Sequence, residues 1–386
     1  MKSQIPVSSS PVTRVVHVIT GLGVGGAEIM LWRLLAAIGP TVQSSVICLG
    51  REGPIAARIR ALGVRVDVLD LPPGARALAG LFRLRLLLRD LMPNVVHTWL
   101  YHADLLGGLA AWSNAVPVVW SLHNSSLDPT QVSRATRLVV RVLAKLSRFV
   151  PARIVSCSEV GRTAHEAAGY AANRMRVIPN GFDTEQFRPN PGFRSEARRS
   201  WDVRPNEVVI GHVARFHPVK DHRTLLEAAA LAAKRDGRLR FVLYGAGVVP
   251  ENEELVGWAR ALGLLDRCRF LGPEPNIARR LPGFDLLASS SIGEAFPLIL
   301  GEAMASGVPC VATDVGDSAA LLGDSRRIVP AADPAALADA IIRSVLASPE
   351  ERERDVRLAI ARVTDLFELK QIAARYRALY QQVDRG

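Results

Sequence analysis

Four charged side chains in the second half of the sequence have types and spacings suited to binding a phosphorylated sugar. Arg215 and Lys220 lie in VARFHPVKDH, directly after a run of β-branched residues. An arginine offers a planar fork of donors and a lysine a compact charge, so together they suit a diphosphate. Glu294 and Glu302 lie in GEAFPLILGEAMASG. Carboxylates accept strongly from sugar hydroxyls, so the two pairs predict a site for a sugar nucleotide.

The segment that contains the two glutamates also predicts the start of a helix. Pro297 suits the first turn of a helix, and Gly307 suits the residue just past its end. The amides of Phe296 and Leu298 would then lie at a helix N-terminus, where free N–H groups and the helix dipole favour phosphate oxygens. We therefore expect Phe296, Leu298 and Glu302 to bind the same donor.

A glycine-rich loop, GLGVGGAE at 21–28, follows the first apolar run of the chain. Its glycines would let backbone amides approach an anion at a helix N-terminus. The pattern G-x-G-x-x-G at 21–26 also matches the dinucleotide-binding fingerprint, which expects an acidic residue about 20 positions later, at the end of the second strand. That strand ends in Cys-Leu-Gly at 48–50, with Glu52 only just beyond. A phosphate-binding loop is therefore favoured over a dinucleotide site.

Short β-branched runs alternate with longer segments of helical periodicity, which predicts parallel sheets covered by helices on both faces. The runs that predict strands are 14–20, 44–50, 64–70, 94–100, 117–123, 153–158, 207–214, 239–245, 267–272, 285–290 and 308–313. Sheets of this kind bind ligands just past the carboxyl ends of their strands. The charged pairs and the glycine loop all lie in such positions.

The alternation of strands and helices is interrupted once, at 183–206, where Pro, Arg and Asn are frequent and no strand is indicated. A chain of 386 residues is long for a single core, so its length favours two domains. We expect an N-terminal α/β domain over 1–182, a linker over 183–206 and a C-terminal α/β domain over 207–364, each with a doubly wound, Rossmann-like sheet.

With these motifs in order, the sequence resembles glycosyltransferase family 4, which comprises retaining enzymes of the GT-B fold. The resemblance covers nearly the whole chain. It rests on GGAE at 25–28, CSEVGRTA at 157–164, VIPNGFDTEQFRP at 177–189, the Arg215 and Lys220 pair, and Glu294-x7-Glu302 followed by GVPCVATDVGD. It implies two Rossmann-like domains that face a central cleft, with the C-terminal helix at 365–386 packed back on the N-terminal domain.

The resemblance implies a role for each of the four charged residues. Arg215 and Lys220 would bind the donor diphosphate and stabilise the negative charge that departs with it. Glu294 would bind hydroxyls of the donor sugar close to the reacting carbon. Glu302 would hold the ribose hydroxyls of the nucleotide.

The resemblance also assigns residues of the N-terminal domain to the cleft. The Gly25–Gly26 pair would let the first loop close over the donor phosphates. His123, in SLHN, matches a histidine near the transferred sugar, as a positioning group, although a core histidine or an acceptor-side base stays open. Apart from the resemblance, His97, His102 and Asp104 lie at or past the end of another predicted strand and are expected to face the same cleft, and either an acceptor role or packing and helix capping would explain them.

The substrates are less clearly indicated than the reaction. Ala295 stands where the family usually has glycine, and Asp-Ser-Ala-Ala at 317–320 replaces a glycine and acidic residue that many members carry. The donor is expected to be a UDP- or GDP-sugar, and the acceptor a saccharide or a lipid-linked acceptor in cell-surface polysaccharide or glycolipid synthesis. We expect no cofactor and no metal, because the sequence has no Asp-x-Asp motif and its cations and a helix end would neutralise the leaving diphosphate.

Positive charge is concentrated in the first half of the chain. Residues 1–190 hold 21 Lys and Arg against 11 Asp and Glu, whereas residues 191–386 hold 27 against 26. One predicted helix places its cations on a single face at spacings of three and four: Arg134, Arg137, Arg141, Lys145 and Arg148. This basic face indicates either contact with an anionic membrane or an ordinary solvated surface. No recognised nucleic-acid-binding module appears, so we expect no nucleic-acid partner.

The sequence indicates a cytoplasmic protein, at most associated with the inner face of the membrane. It has no signal-peptide core and no run of about 18 apolar residues. Other activities of the same fold stay open at this point: a sugar-nucleotide epimerase, a phosphorylase that would need pyridoxal phosphate, or a non-catalytic sensor of nucleotide sugars.

Overall fold

The chain folds into two parallel-stranded α/β domains. The computed structural model describes residues 12–71, 77–125 and 133–385, so the first eleven residues of the expected N-terminal domain lie outside the described part. Within the described residues, no helix combines the length and the apolar character needed to cross a bilayer.

The N-terminal sheet has seven strands in the order β3-β2-β1-β4-β5-β6-β7, and every neighbouring pair is parallel. Its strands are β1 (Thr13–Ile19), β2 (Val42–Cys48), β3 (Arg65–Val68), β4 (Val95–Trp99), β5 (Val118–Leu122), β6 (Arg153–Ser156) and β7 (Met175–Val177). Its helices are α1 (Gly26–Ala37), α2 (Pro54–Ala61), α3 (Ala77–Leu91), α4 (Tyr101–Ser113), α5 (Arg134–Leu146) and α6 (Glu159–Ala167).

The C-terminal sheet has six strands in the order β10-β9-β8-β11-β12-β13, again all parallel. Its strands are β8 (Val208–Val213), β9 (Leu239–Tyr244), β10 (Cys268–Phe270), β11 (Leu286–Ser289), β12 (Cys310–Thr313) and β13 (Ile328–Val329). The remaining helices are α7 (Pro191–Ser200), α8 (His222–Arg235), α9 (Glu253–Ala261), α10 (Leu298–Ala305), α11 (Ser318–Leu322), α12 (Pro334–Leu346), α13 (Pro349–Phe367) and α14 (Leu369–Asp384).

All eleven predicted strand runs form strands, and the expected pair of doubly wound sheets is confirmed. Two further strands, β7 and β13, were missed. Both are very short and lie at a sheet edge, where few apolar residues are needed.

The segment expected as a linker is more ordered than its composition suggested. It contains α7, which Asn190 caps by accepting a hydrogen bond from the amide of Phe193 at 2.9 Å. Phe187, Ala197 and Trp201 from this segment are buried in the core of the C-terminal domain. Much of 183–206 is therefore part of that domain.

The chain returns to the N-terminal domain at its end. Helix α13 packs against α10 of the C-terminal domain, whereas α14 packs against α1, β1 and β4. Tyr376 and Tyr380 of α14 are buried in the same core as Trp99. Two segments of the chain connect the domains, one at Phe182 and the other at Glu368, and these two residues pair in an isolated parallel β-bridge.

Candidate active site

The loop after β8 carries Arg215 and Lys220 to the carboxyl end of the C-terminal sheet. Lys220 ends a single helical turn at Pro218–Lys220, and its ammonium forms an ion pair with the carboxylate of Glu294. Asp221 follows with φ +45° and caps α8 by accepting from the amide of Thr224 at 3.1 Å. The capped helix fixes the loop, so Lys220 has a defined position. Arg215 is exposed in the same loop.

Glu294 lies in the loop between β11 and α10, which neighbours the β8 loop because β8 and β11 are adjacent strands. Its Oε1 accepts a hydrogen bond from the Ser291 hydroxyl at 2.8 Å and also faces Lys220. The Ser125 hydroxyl of the N-terminal domain donates to the Glu294 carbonyl oxygen. The structure therefore brings Glu294 and Lys220 together, with a serine of the other domain beside them.

Gly316 sets how closely the next loop approaches Glu294. It has φ +54°, and a Cβ at this position would collide with the backbone oxygens of Glu294 and Ala295. The following amide, that of Asp317, donates to the Ala295 carbonyl at 2.9 Å. Only glycine fits this left-handed, crowded position without strain.

Asp317 joins this loop to the N-terminal domain. Its carboxylate accepts from the amides of Glu159 and Val160, at 2.8 and 3.0 Å, which are the first two residues of α6. Burial raises the pKa of Asp317, whereas these two amide hydrogen bonds lower it. The α6 start is thus capped twice: the Ser158 hydroxyl of its own domain accepts from the Gly161 amide at 3.0 Å, and Asp317 of the opposite domain accepts from the first two amides.

Helix α10 begins at Leu298 after the N-cap residue Pro297, so its first amides have no partner within the helix. Phe296 is buried and its ring lies 6.1 Å from that of Phe182. Phe296 and Leu298 thus lie at the helix start, as expected. Glu302 lies one turn later, where it forms a buried ion pair with Arg33 of α1.

The glycine loop of the N-terminal domain faces the cationic loop of the other domain. Gly25 is the N-cap residue of α1 and Gly26 its first residue. The pKa of Glu28, in the first turn of α1, is raised by burial and lowered in part by the charge of Arg215. The charge of Arg215 therefore acts on the start of α1, which belongs to the other domain.

His123 follows β5 directly and is held on two sides. Its ring stacks on that of Trp99 with centroids 5.1 Å apart and an interplanar angle of 17°. Its Nε2 lies 3.1 Å from the Ser121 hydroxyl. Burial lowers the pKa of His123 to about 4, so the ring is neutral near pH 7 and can accept or donate a hydrogen bond without charge.

The placement of two expected acceptor-side residues in the cleft is wrong. His97 is fully buried within β4, and its Nδ1 lies 2.8 Å from the Tyr380 hydroxyl of α14. Asp104 is also fully buried and accepts from the Thr98 hydroxyl at 2.6 Å. Both side chains therefore support the N-terminal core. His102 is exposed in the first turn of α4, so an acceptor role for it stays a prediction.

Several residues of the site or the domain interface were not identified from the sequence: Arg33, Ser125, Ser291 and Asp317. Arg33 carried a detectable signal, because it is the single cation within the apolar helical stretch AEIMLWRLLAAI. A charged residue on an apolar helix usually has a partner when it is buried. The two serines carried no such signal.

The site combines a cation and a carboxylate on adjacent loops with the free amides of a helix start. Such an arrangement can bind a diphosphate and the hydroxyls of an attached sugar. Among the residues that the structure describes, no three His, Cys, Asp or Glu side chains are grouped so that they could hold a metal ion.

Comparison with known proteins identifies the family of the chain. Residues 24–186 match the family described as Glycosyltransferase Family 4, and residues 207–346 match Glycosyl transferases group 1. The putative glycosyltransferase EpsF of Bacillus subtilis is 33% identical over 309 residues, which cover 78% of this chain and 79% of EpsF. A D-inositol 3-phosphate glycosyltransferase of Actinosynnema mirum is 33% identical over 58% of this chain and 56% of its own length.

Solved structures share the whole fold. HepE of Anabaena, solved in complex with UDP-glucose, superposes with a TM-score of 0.84 at 23% identity, over 96% of this chain and 99% of HepE. Sucrose-phosphate synthase of Thermosynechococcus elongatus gives a TM-score of 0.77 at 21% identity, over 96% of this chain and 99% of the synthase. The two parallel sheets are thus the two halves of a GT-B fold, and the chain belongs to the family 4 glycosyltransferases.

Proposed function

We propose that this glycosyltransferase is a retaining, metal-independent enzyme that transfers a sugar from a nucleoside-diphosphate donor to a saccharide or lipid-linked acceptor. The observation that carries the proposal is the contact between Lys220 and Glu294, made by loops that follow adjacent strands. A cation for the diphosphate and a carboxylate for the sugar lie side by side there. The acceptor class would place the enzyme in cell-surface polysaccharide or glycolipid synthesis.

In this proposal the cleft binds the donor in two halves. Arg215, Lys220 and the amides at the start of α10 receive the diphosphate, while the Gly25–Gly26 loop closes over it from the other domain. Glu302 holds the ribose. Preorganised donors at the point where negative charge develops account for a large part of catalysis in such sites, so no metal is required for the leaving group.

The anomeric configuration of the sugar is retained if the acceptor oxygen attacks the anomeric carbon from the face that the diphosphate leaves. A phosphate oxygen then takes the acceptor proton as the bond to the leaving group breaks. Glu294 binds a donor-sugar hydroxyl in this scheme instead of acting as a nucleophile, which agrees with its engagement by Lys220 and Ser291. His123, neutral near pH 7, positions the transferred sugar.

The donor is proposed to be a UDP- or GDP-sugar, and a thermal-shift panel of UDP-, GDP- and ADP-sugars tests this. A donor present at 100 times its dissociation constant adds about 2.7 kcal/mol to the free energy of unfolding. We expect one nucleotide series to raise the melting temperature and Lys220→Ala to reduce that rise. If none of the sugar nucleotides stabilises the protein, the donor assignment is wrong.

Two further measurements separate the alternatives. Slow release of free sugar from the selected donor, in the absence of acceptor, distinguishes a catalyst from a sensor. Nuclear magnetic resonance of the released or transferred sugar then reports its anomeric configuration. An inverted product would contradict the retaining mechanism while leaving the donor site intact.

We also propose that α5 contacts an anionic membrane. Arg134, Arg141, Lys145 and Arg148 are exposed on this helix and its C-terminal extension, and Arg137 is half-buried among them. Exposed apolar side chains lie between these cations: Leu138, Val142 and Phe149, the last 73% exposed. Neighbouring helices α3 and α4 add Phe82, Leu86 and Trp112 to the same side of the sheet. Cations beside exposed apolar groups suit a lipid surface of opposite charge.

Co-sedimentation with phosphatidylglycerol vesicles at low salt tests this contact. Each cation near an anionic surface contributes about 1 kcal/mol to binding. Reversing Arg141 and Lys145 to Glu should therefore weaken binding by a factor of about 30 or more. The matched control reverses Arg354 and Arg357, exposed cations of α13 in the other domain. Equal binding by wild type and Arg141→Glu/Lys145→Glu would rule the membrane face out.

A further inference from the structure

The buried ion pair between Arg33 and Glu302 joins the two domains through their site helices. The Nη2 of Arg33 lies 2.5 Å from Oε1 of Glu302, and the two side chains are only 7% and 8% exposed. Arg33 lies on α1, two turns after Gly26, and Glu302 lies on α10, one turn after Leu298. The pair therefore couples the two helices whose starts face the donor.

Arg33 is not fully satisfied by this contact. Its guanidinium lies over the ring of Phe187 at 5.3 Å, while Nε and Nη1 are buried without a hydrogen-bond partner among the described residues. Buried unpaired donors are costly, and a buried ion pair is weak evidence for a role in stability alone. A functional role for Arg33 is therefore worth testing.

Glu302 is engaged through one oxygen only. Arg33 takes Oε1, and Oε2 has no hydrogen-bond partner among the residues that the structure describes. An ionised carboxylate can accept about four hydrogen bonds over its two oxygens. One oxygen is thus fixed by the N-terminal domain and the other is left for a ligand.

We propose that Arg33 is a positioning residue for donor recognition. It holds one carboxylate oxygen of Glu302 so that the second oxygen is oriented to accept the ribose hydroxyls of the nucleotide. The inference rests on the proposed ribose role of Glu302. Its consequence is that the C-terminal domain recognises the ribose fully only when the N-terminal domain is docked against it.

The test compares the affinity of the protein for UDP and for 2′,3′-dideoxyuridine diphosphate, measured by isothermal titration calorimetry. Hydrogen bonds to a charged acceptor are strong enough that wild type should prefer UDP by about tenfold or more. Arg33→Met should reduce this preference to near one by weakening UDP binding alone. A purely structural role would weaken both ligands equally and would overturn the inference.

Further variants separate the possible failures. Arg33→Lys, which retains a cation beside Glu302, should keep part of the preference and guards against a fold defect in Arg33→Met. The matched control is Arg58→Met, which removes an exposed guanidinium lying over the ring of Trp32 and should keep the full preference.

Glu302→Gln tells the inference apart from the proposed function. If Glu302→Gln keeps the preference for UDP, Glu302 does not bind the ribose and its proposed role in the donor site fails. If Glu302→Gln loses the preference and Arg33→Met keeps it, only the role of Arg33 fails. The double variant Arg33→Met/Glu302→Gln should match Glu302→Gln alone, since Arg33 acts through that carboxylate.

Discussion

The six strands of the C-terminal sheet follow the same order as the first six of the N-terminal sheet, but the two domains carry different chemistry after corresponding strands. Strand β1 in the N-terminal sheet corresponds to β8 in the other, and β4 corresponds to β11. Glycines at 21–26 follow β1, whereas Arg215 and Lys220 follow β8. After β4 the chain enters α4 at once, while after β11 a loop presents Glu294. The same topology thus places glycines, which let a ligand approach the backbone, after a strand of one domain. It places charged side chains after the corresponding strands of the other.

Net charge alone would direct attention away from the domain that we propose to bind the diphosphate. The first half of the chain is the more basic, yet its surplus cations lie on outer helices such as α5. The C-terminal half is nearly neutral, and it places two cations at the strand ends where a diphosphate would bind. The position of a charge relative to the strand ends is therefore more informative than the total.

The largest expected effect tests whether the segment before β8 belongs to the C-terminal domain. Trp201 is buried, stacks on Phe284 at 5.1 Å and donates to the Tyr244 hydroxyl at 2.8 Å. Trp201→Ala should lower the free energy of unfolding of that domain by about 3–5 kcal/mol. Urea unfolding followed by circular dichroism measures this. Trp112→Ala, exposed on α4, is the control and should change it by less than about 0.5 kcal/mol.

The next effect tests whether the cations after β8 carry the catalysis. Arg215→Ala and Lys220→Ala should each lower turnover of the selected donor by about a hundredfold or more, because each removes stabilisation of developing charge. Arg223→Ala, which removes an exposed cation of α8, should retain activity. Initial rates and unchanged circular dichroism would be compared. Wild-type rates in both loop variants would contradict the assignment.

A smaller effect concerns a feature that the domains share, a buried histidine on corresponding first strands. Burial lowers the pKa of His17 in β1 and of His212 in β8 to about 3. The unfolded chain binds these protons more readily than the folded protein does. The contribution of the neutral histidines to the free energy of unfolding is therefore fully present above the ordinary pKa of about 6.5 and falls as the pH drops toward 3.

Each histidine should contribute about 1.4 kcal/mol of destabilisation per pH unit within that window. Urea unfolding at pH 7 and pH 5 measures the dependence, and His17→Gln or His212→Gln should make it less steep. A dependence that neither variant alters would mean that other groups govern acid sensitivity.

The smallest expected effect tests the contact that brings the domains together at α6. Asp317→Ala removes the carboxylate that accepts from the amides of Glu159 and Val160, and loss of such a cap costs about 1 kcal/mol. The ligand-free protein should then be more open, with a larger radius of gyration in small-angle X-ray scattering. Asp314→Ala, a neighbouring exposed carboxylate, is the control. Equal radii in both variants would show that Asp317 does not hold the domains together.

The fold was readable from the sequence because buried parallel strands need continuous apolar runs, which stand out between helical segments. The residues proposed for the donor site were predicted for a related reason, since Lys220 and Glu294 lie in loops that follow such runs. Helix α7 was missed because its residues are mostly polar, and only Ala197 and Trp201 reveal its burial.

The remaining errors come from contacts across the two domains or across the sheet. His97 was placed in the cleft, although it points to Tyr380, which lies 283 residues further along the chain. The partners of Arg33 and Asp317 likewise depend on how the domains dock. Such contacts leave no local periodicity, so no pattern within a segment of sequence could predict them.

The two chain segments that connect the domains, at Phe182 and at 367–369, have a mechanical consequence. The Phe182 amide donates to the Phe367 carbonyl at 2.8 Å, and the Leu369 amide donates to the Phe182 carbonyl at 2.9 Å. Two hydrogen-bonded strands resist torsion more than a single chain does. The two domains should therefore rotate about one axis through this point. A motion restricted in this way would return the same side chains to the same positions at every turnover.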